Sequence, residues 1–247
     1  AALIGAFDRL SDSIAGMRQS VSQMRMQRID KLFAPLPRIV RDLSQELGKK
    51  VHFDTSGGEV ELDREMMENI RDPPIHIVRN AIDHGIESPE VRVRKGKNPV
   101  GTVGLRAFHQ AGKVNIAVSD DGAGIDPDRI REKAVARGFL QADQAREMSD
   151  REVLQLIFRP AFSTAENVTE VSGRGVGMDV VKTNIERLGG TVSVDTQLGR
   201  GSTFIVKLPL TLAIVPSLIV RCQSRRFAIP QTNISELVRI KQIGRAH

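Results

Sequence analysis

Tryptophan and tyrosine are absent from this chain of 247 residues, and nine phenylalanines are its only aromatic side chains. A core must therefore be built from aliphatic residues. With 40% hydrophobic and 27% charged residues, the composition is that of a globular protein. The single cysteine, Cys222, excludes an internal disulfide or a cysteine metal cluster and points to a reducing, cytoplasmic setting. No run of 18 apolar residues occurs, so membrane insertion is not expected. No basic-then-apolar leader opens the chain.

Acidic residues are in deficit, 30 against 36 basic ones, which leaves a net charge of +6 and a pI near 9.8. A nucleic-acid surface would cluster that charge. Here the densest run, Arg92, Arg94, Lys95 and Lys97, lies in a predicted loop bounded by glycine and proline, without interleaved aromatics. No nucleic-acid partner is expected.

Leu3, Phe7, Leu10, Ile14, Met17, Val21 and Met24 fall at alternating spacings of four and three. This is the a/d seam of a coiled coil. No second helix follows on which the seam can fold back, so it predicts a homodimer. A linker over residues 25–30 leads to an amphipathic helix carrying Leu36, Ile39, Val40, Leu43 and Leu47 and ended by Gly48. Residues 51–54 and 59–62 read as a hairpin around Ser56-Gly57-Gly58. The helix after Asp63 must break at Pro73-Pro74, where a new helix can start with proline in its first turn. Alternating strands over 102–109 and 113–119 turn at Ala111-Gly112. Helices follow near 127–138 and 149–158, then a Gly/Ser/Thr-rich stretch, a helix over 177–188, and a hairpin turned at Gly199-Arg200-Gly201. The pattern is α+β, hairpin strands with helices on one face. From Leu210 a new apolar run, LTLAIVPSLIV, reads as the first strands of another domain.

Three stretches carry chemistry. The helix HIVRNAIDHG places His76, Asn80 and His84 at successive i, i+4 steps, with Asp83 beside them. An asparagine amide oxygen is a hard, neutral ligand for a Mg²⁺ that already holds phosphates. A neutral imidazole beside it can accept a proton near pH 7. The second stretch, Asp120-Asp121-Gly122-Ala123-Gly124-Ile125, directly follows a strand. A carboxylate at a pocket floor accepts a hydrogen bond from the adenine amino group and rejects the guanine carbonyl. The third, Ser172-Gly173-Arg174-Gly175-Val176-Gly177-Met178-Asp179, opens a helix and offers free N–H groups to phosphates. No strand precedes it and no Walker lysine is present, which excludes the dinucleotide and P-loop readings. Before it, Phe158-Arg159-Pro160-Ala161-Phe162-Ser163-Thr164 reads as an aromatic hinge and a lid over the phosphates.

In this order, and followed by Gly199-Arg200-Gly201-Ser202-Thr203-Phe204, the set resembles the nucleotide site of the ATPase superfamily shared by histidine kinases, gyrase, MutL and heat-shock chaperones. The longer stretches HIVRNAIDHGIE, SDDGAGID, FSTAENVTEVSGRGVGMDVVKTNIERLGG and LPLTLAI are similar to the CheA family of chemotaxis sensor histidine kinases, over nearly the whole chain. The resemblance implies a two-layer α/β sandwich preceded by a coiled-coil helix. It implies part of a dimerisation helix over 1–28, an ATP-binding catalytic domain over 29–209, and over 210–247 the start of an SH3-like regulatory domain that couples to an adaptor protein and chemoreceptors. It implies ATP and Mg²⁺ as cofactors.

Residue by residue, the resemblance makes Asn80 the Mg²⁺ ligand and His76 the general base, with Asp83 and His84 contacting the nucleotide. Asp121 reads adenine, Gly124 and Ile125 line the base pocket, and Arg129 and Lys133 reach the phosphates. Ser163, Thr164, Gly173, Gly175, Gly177 and Met178 form the lid and its phosphate contacts. Ser202 supplies a hydroxyl where threonine is usual. The implied reaction is transfer of the ATP γ-phosphoryl to a histidine on a separate phosphotransfer domain, which then serves a response regulator. None of the five histidines reads as that acceptor, so the chain is expected to bind ATP without labelling itself. Two other readings are an ATP-driven clamp of the gyrase or MutL type, which calls for a glutamate where His76 stands, and a non-catalytic array scaffold.

Overall fold

The computed structural model describes residues 25–162, 177–210, 217–223, 225–230, 234–236 and 238. The predicted coiled-coil helix and most of the predicted lid, including Ser163, Thr164, Gly173 and Gly175, lie outside the described residues. The chain divides into two units, Ala1–Leu212 and Ala213–His247.

The first unit is organised by one mixed sheet. Its strands are β2 (Val51–Ser56), β4 (Gly101–Gln110), β5 (Lys113–Asp120), β6 (Thr191–Gln197) and β7 (Gly201–Pro209), in the order β2-β4-β5-β7-β6. Period-two alternation sends one set of aliphatic side chains to a single face. Val103, Leu105 and Ala107 of β4, Val114, Ile116 and Val118 of β5, and Phe204, Val206 and Leu208 of β7 are all buried. The register stacks them, with Leu105 opposite Val118 and Val118 opposite Phe204. Three helices cover this face: α2 (Leu36–Glu46), α4 (Asp72–Asn80) and α9 (Met178–Arg187). Each fully buried aliphatic side chain contributes about 1.5–3 kcal/mol, so the sheet–helix interface is the main source of stability. The layered α+β architecture is the one expected.

Two local expectations are corrected. The segment after α2 is not a hairpin. Strand β2 pairs parallel with β4, Val51 opposite Gly101, while β3 (Glu61–Asp63) pairs antiparallel with β1 (Met26–Arg28). The glycine turn diverts the chain across the end of β4: Gly57, at φ +78°, lies against the Ala107 carbonyl, where a Cβ has no room. The supposed linker at 25–30 is therefore partly a strand, followed by the short helix α1 (Asp30–Phe33). The first half of the basic run is also not a loop. Arg92 and Arg94 lie in α5 (Pro89–Arg94), with Ser88 Oγ accepting from the Val91 N–H at 3.4 Å as its N-cap, while Lys95 and Lys97 follow the helix.

Four further helices are seen among the described residues of this unit: α3 (Arg64–Asn69), α6 (Pro127–Ala136), α7 (Ala142–Glu147) and α8 (Asp150–Leu154), the last running into a 3-10 turn, Gln155–Phe158. The second unit shows an antiparallel hairpin, β8 (Ser217–Cys222) with β9 (Arg225–Pro230). No described helix is long and apolar enough to cross a membrane.

Candidate functional site

Helix α4 begins with Pro73 and Pro74 in its first turn, where missing amide donors cost nothing. It runs α-helically to Asn80 and then widens into a π turn, Ala81–Gly85, in which the Ile86 N–H donates to the Ala81 carbonyl at 2.8 Å. The wider turn breaks the predicted i, i+4 stripe. His76 and Asn80 remain one turn apart and half-buried. His84 is carried outward, 70% exposed, with Nε2 3.6 Å from Asp83 Oδ2. The Ile82 and Asp83 carbonyls accept from Lys49 Nζ at 2.8 and 2.6 Å. Burial lowers the Lys49 ammonium pKa, against the pull of Asp83 and Glu87.

Helix α9 packs against α4. Gly177 is its N-cap, in extended backbone, and Met178 is buried at its first turn. The two helices meet where Asn80 Nδ2 donates to Met178 Sδ at 3.3 Å. With the amide nitrogen turned to sulfur, the amide oxygen points to the opposite side of the group. Burial lowers the His76 pKa, with Arg79 and His84 adding to the effect and Asp179 opposing it. The ring is therefore neutral at pH 7 and can accept a proton.

The floor of the site lies at the end of β5. Both oxygens of the Asp121 carboxylate, the group expected to read adenine, are engaged there. Its Oδ2 accepts from Arg92 Nη2 at 2.9 Å and its Oδ1 from the Thr102 N–H at 2.9 Å. Asp120 is the other carboxylate of the pair. Its Oδ1 accepts from the Gly122 N–H at 2.9 Å, and a Cβ added to Gly85 would stand 3.2 Å from its Cγ. Burial raises the Asp120 carboxyl from 3.8 to about 6, although the Gly122 and Ser202 backbones hydrogen-bond it. The Ala123 N–H donates to the Gly85 carbonyl at 2.9 Å, which ties this turn to the end of the π turn.

Around Asp120, the Ile125 N–H donates to Thr196 Oγ1 at 2.9 Å, and Thr196 Oγ1 lies 2.9 Å from the buried Ser202 hydroxyl. Gly124, at φ +72°, backs onto the Gln197 carbonyl. Gly124, Ile125 and Ser202 thus surround one floor with Asp120. Arg129 and Lys133 lie one turn apart on α6. Arg129 is 86% exposed, 3.9 Å from Asp126, and Lys133 Nζ sits 5.8 Å from the Phe162 ring centroid at the predicted lid hinge.

Residues 69–212 match the histidine kinase-, DNA gyrase B- and HSP90-like ATPase family. The chain belongs to this ATPase family. It is similar to the sensor histidine kinase CheAY of Helicobacter pylori, 49% identical over 226 residues, covering 92% of this chain and 28% of that protein. It is 44% identical over 229 residues to chemotaxis protein CheA of Bacillus subtilis, covering 93% of this chain and 34% of the relative. To CheA of Treponema pallidum it is 48% identical over 225 residues, covering 91% and 28%. The chain thus spans about three-tenths of the length of these relatives. Among solved structures, the catalytic domain of histidine kinase ThkA is 18% identical, covers 75% of this chain and 95% of that one, and superposes with a TM-score of 0.48.

Within this ATPase fold, Asp120, Lys49, Arg92 and Lys97 carry no site role in the sequence reading. The signal for Asp120 is the strand period. Val114, Ile116 and Val118 face the core, so residue 120 faces it too, and residue 121 falls past the strand. Lys49, Arg92 and Lys97 act through backbone carbonyls far along the chain, which no local pattern announces.

Proposed function

We propose that the chain is the ATP-binding catalytic core of a CheA-type chemotaxis histidine kinase. The observation that carries this reading is the meeting of α4 and α9 at Asn80 and Met178. It puts a neutral amide oxygen and an uncharged imidazole beside the glycine-preceded N-terminus of a ten-residue helix, where phosphates are favoured. The base lies across the π turn, its amino group donating to Asp120, with Gly124, Ile125 and Ser202 around it.

Asn80 Oδ1 fits a Mg²⁺ ligand because it is a hard, neutral oxygen. Bound there with ATP, the metal would neutralise charge on the β- and γ-phosphates. The acceptor is the imidazole of a separate phosphotransfer domain. Its nitrogen lone pair attacks the γ-phosphorus, the bond to the β-phosphate oxygen breaks, and ADP leaves. His76 takes the proton that the acceptor ring gives up. Catalysis is positioning and charge stabilisation.

The remaining parts of the reading concern the rest of the pathway. Residues 1–28 dimerise through the heptad seam. Residues 29–209 form the catalytic domain. Residues 210–247 begin the SH3-like regulatory domain, a reading supported by the β8–β9 hairpin, and couple to an adaptor and chemoreceptors. A response regulator receives the phosphoryl group in a cytoplasmic relay. Ser163, Thr164, Gly173, Gly175 and Gly177 close over the phosphates, and Arg129 and Lys133 reach them. The test is incubation with labelled ATP and a panel of isolated histidine phosphotransfer domains. Acid-labile phosphate is expected on an added domain and none on the chain; labelling of the chain itself, or of no domain in the panel, contradicts the proposal.

A further inference from the structure

The two adjacent carboxylates at the end of β5 have different destinations, and one buried side chain separates them. Arg92 is 1% exposed and heads the largest fully buried side chains. Its Nε donates to the Asn98 carbonyl at 2.6 Å, and its Nη1 to Glu87 Oε2 at 3.3 Å and to the Asp121 carbonyl at 3.2 Å. Its Nη2 donates to Asp121 Oδ2 at 2.9 Å. Lys97 Nζ completes the hold, donating to the Asp121 carbonyl at 2.9 Å and the Gly122 carbonyl at 2.6 Å. Burial pushes the Glu87 carboxyl up, but hydrogen bonds from its own backbone and Lys95, together with Lys97, outweigh this and hold it below the usual range.

We propose that Arg92 is a positioning residue for nucleobase selection: it pins Asp121 and the backbone of residues 121–122, so that Asp120 alone presents a carboxylate to the purine. The proposal rests on the reading of Asp120 as the adenine acceptor. The chain of contacts is short. Arg92 and Lys97 fix the carbonyls of 121 and 122, and the Gly122 N–H on that fixed backbone holds Asp120 Oδ1. Stability alone is poorly served by such an arrangement, because buried ion pairs are often matched by apolar side chains of the same volume. An arginine fork, by contrast, imposes direction on a carboxylate. Released from Arg92, the Asp121 carboxylate keeps only the Thr102 N–H, and the base meets a second, loosely held acceptor beside the first.

The test compares ATP with ITP, which carries a carbonyl in place of the amino group. Competition against a fluorescent nucleotide gives the ratio of their Kd values. Loss of folded protein weakens both nucleotides equally and leaves this ratio unchanged, so the ratio separates positioning from mere structural support. In Arg92→Met, the preference for ATP is expected to fall about tenfold, the size of one misplaced hydrogen bond. Asp121→Asn, which keeps the acceptor for the Thr102 N–H but weakens the ion pair, is expected to move the ratio in the same direction; it decides the matter if Arg92→Met does not fold. An unchanged ratio in Asp121→Asn or Arg92→Met, with the ratio collapsing in Asp120→Asn, overturns the positioning role and spares Asp120. An unchanged ratio in Asp120→Asn overturns the reading of Asp120 and the proposal with it.

Discussion

Replacing Asp120 by asparagine should make the protein more stable and a worse nucleotide binder at once. Burial raises this carboxyl from 3.8 to about 6, and each pH unit of that rise is worth about 1.4 kcal/mol. The ionised side chain therefore costs the folded state roughly 3 kcal/mol at pH 7. Asparagine removes the charge but keeps only one acceptor oxygen for the Gly122 and Ser202 backbone donors, so about 1–2 kcal/mol is recovered. In a domain of this size that raises Tm by about 2–8 °C.

The pH dependence gives the sign of the effect. Above the folded pKa both folded and unfolded chains are ionised, and the cost is fully present. As pH falls through 6 toward 4, the folded state takes up its proton first and the wild type gains on the variant. The stability difference between variant and wild type should therefore be greatest at pH 7, cross zero near pH 5 and reverse by pH 4, as read by thermal melts of both proteins in parallel. Over the same substitution, ATP affinity at pH 7 should fall by about 1–3 kcal/mol, because the amide cannot serve as a full charge-assisted acceptor. A variant that is less stable than wild type at pH 7, or binds ATP equally well, would falsify the assignment of a strained, ionised acceptor at this position.

Other perturbations probe separate parts of the site. Preference for ATP over ITP should decline as pH drops through about 6, because a neutral Asp120 carboxyl gains an O–H donor that suits the carbonyl base; a flat profile between pH 5 and 8 contradicts this. Asn80→Ala should leave nucleotide binding without Mg²⁺ nearly unchanged yet reduce phosphotransfer by more than about a hundredfold, measured with labelled ATP and an added phosphotransfer domain. Lys49→Met removes the donor held by the Ile82 and Asp83 carbonyls and should lower stability by about 1–3 kcal/mol in a denaturant melt. Gly201→Ala, at φ +115° and facing the Asp120 carbonyl, should cost at least about 1–3 kcal/mol and weaken ATP binding through the displaced floor.

The long hairpins were legible because their apolar residues alternate cleanly and their turns carry the expected glycines: β4–β5 turns at Ala111-Gly112, and β6–β7 at Gly199 to Gly201. The parallel pairing of β2 with β4 was not, since its partner lies some fifty residues away and a strand pattern names no neighbour. The site divides the same way. The one-turn spacing of His76 and Asn80 follows from the helical period, whereas the exposed placement of His84 does not, because no residue type signals a π turn. The proposed choice of Asp120 over Asp121 has a plainer cause: two neighbouring aspartates are chemically alike, and only the parity of the strand and the buried Arg92 tell them apart.

A π turn amounts to an α-helix holding one residue more than its pitch requires. In α4 that surplus falls between Asn80 and Gly85, the interval that separates the phosphate side from the base side in the proposed site. Deleting one residue there would restore ordinary pitch. The same deletion would withdraw Gly85 from the Asp120 carboxylate and from the Ala123 N–H that now meets its carbonyl. In the proposed site the spacing between triphosphate and purine is thus set by a residue count within a single helix, and the phase of that helix works as its ruler.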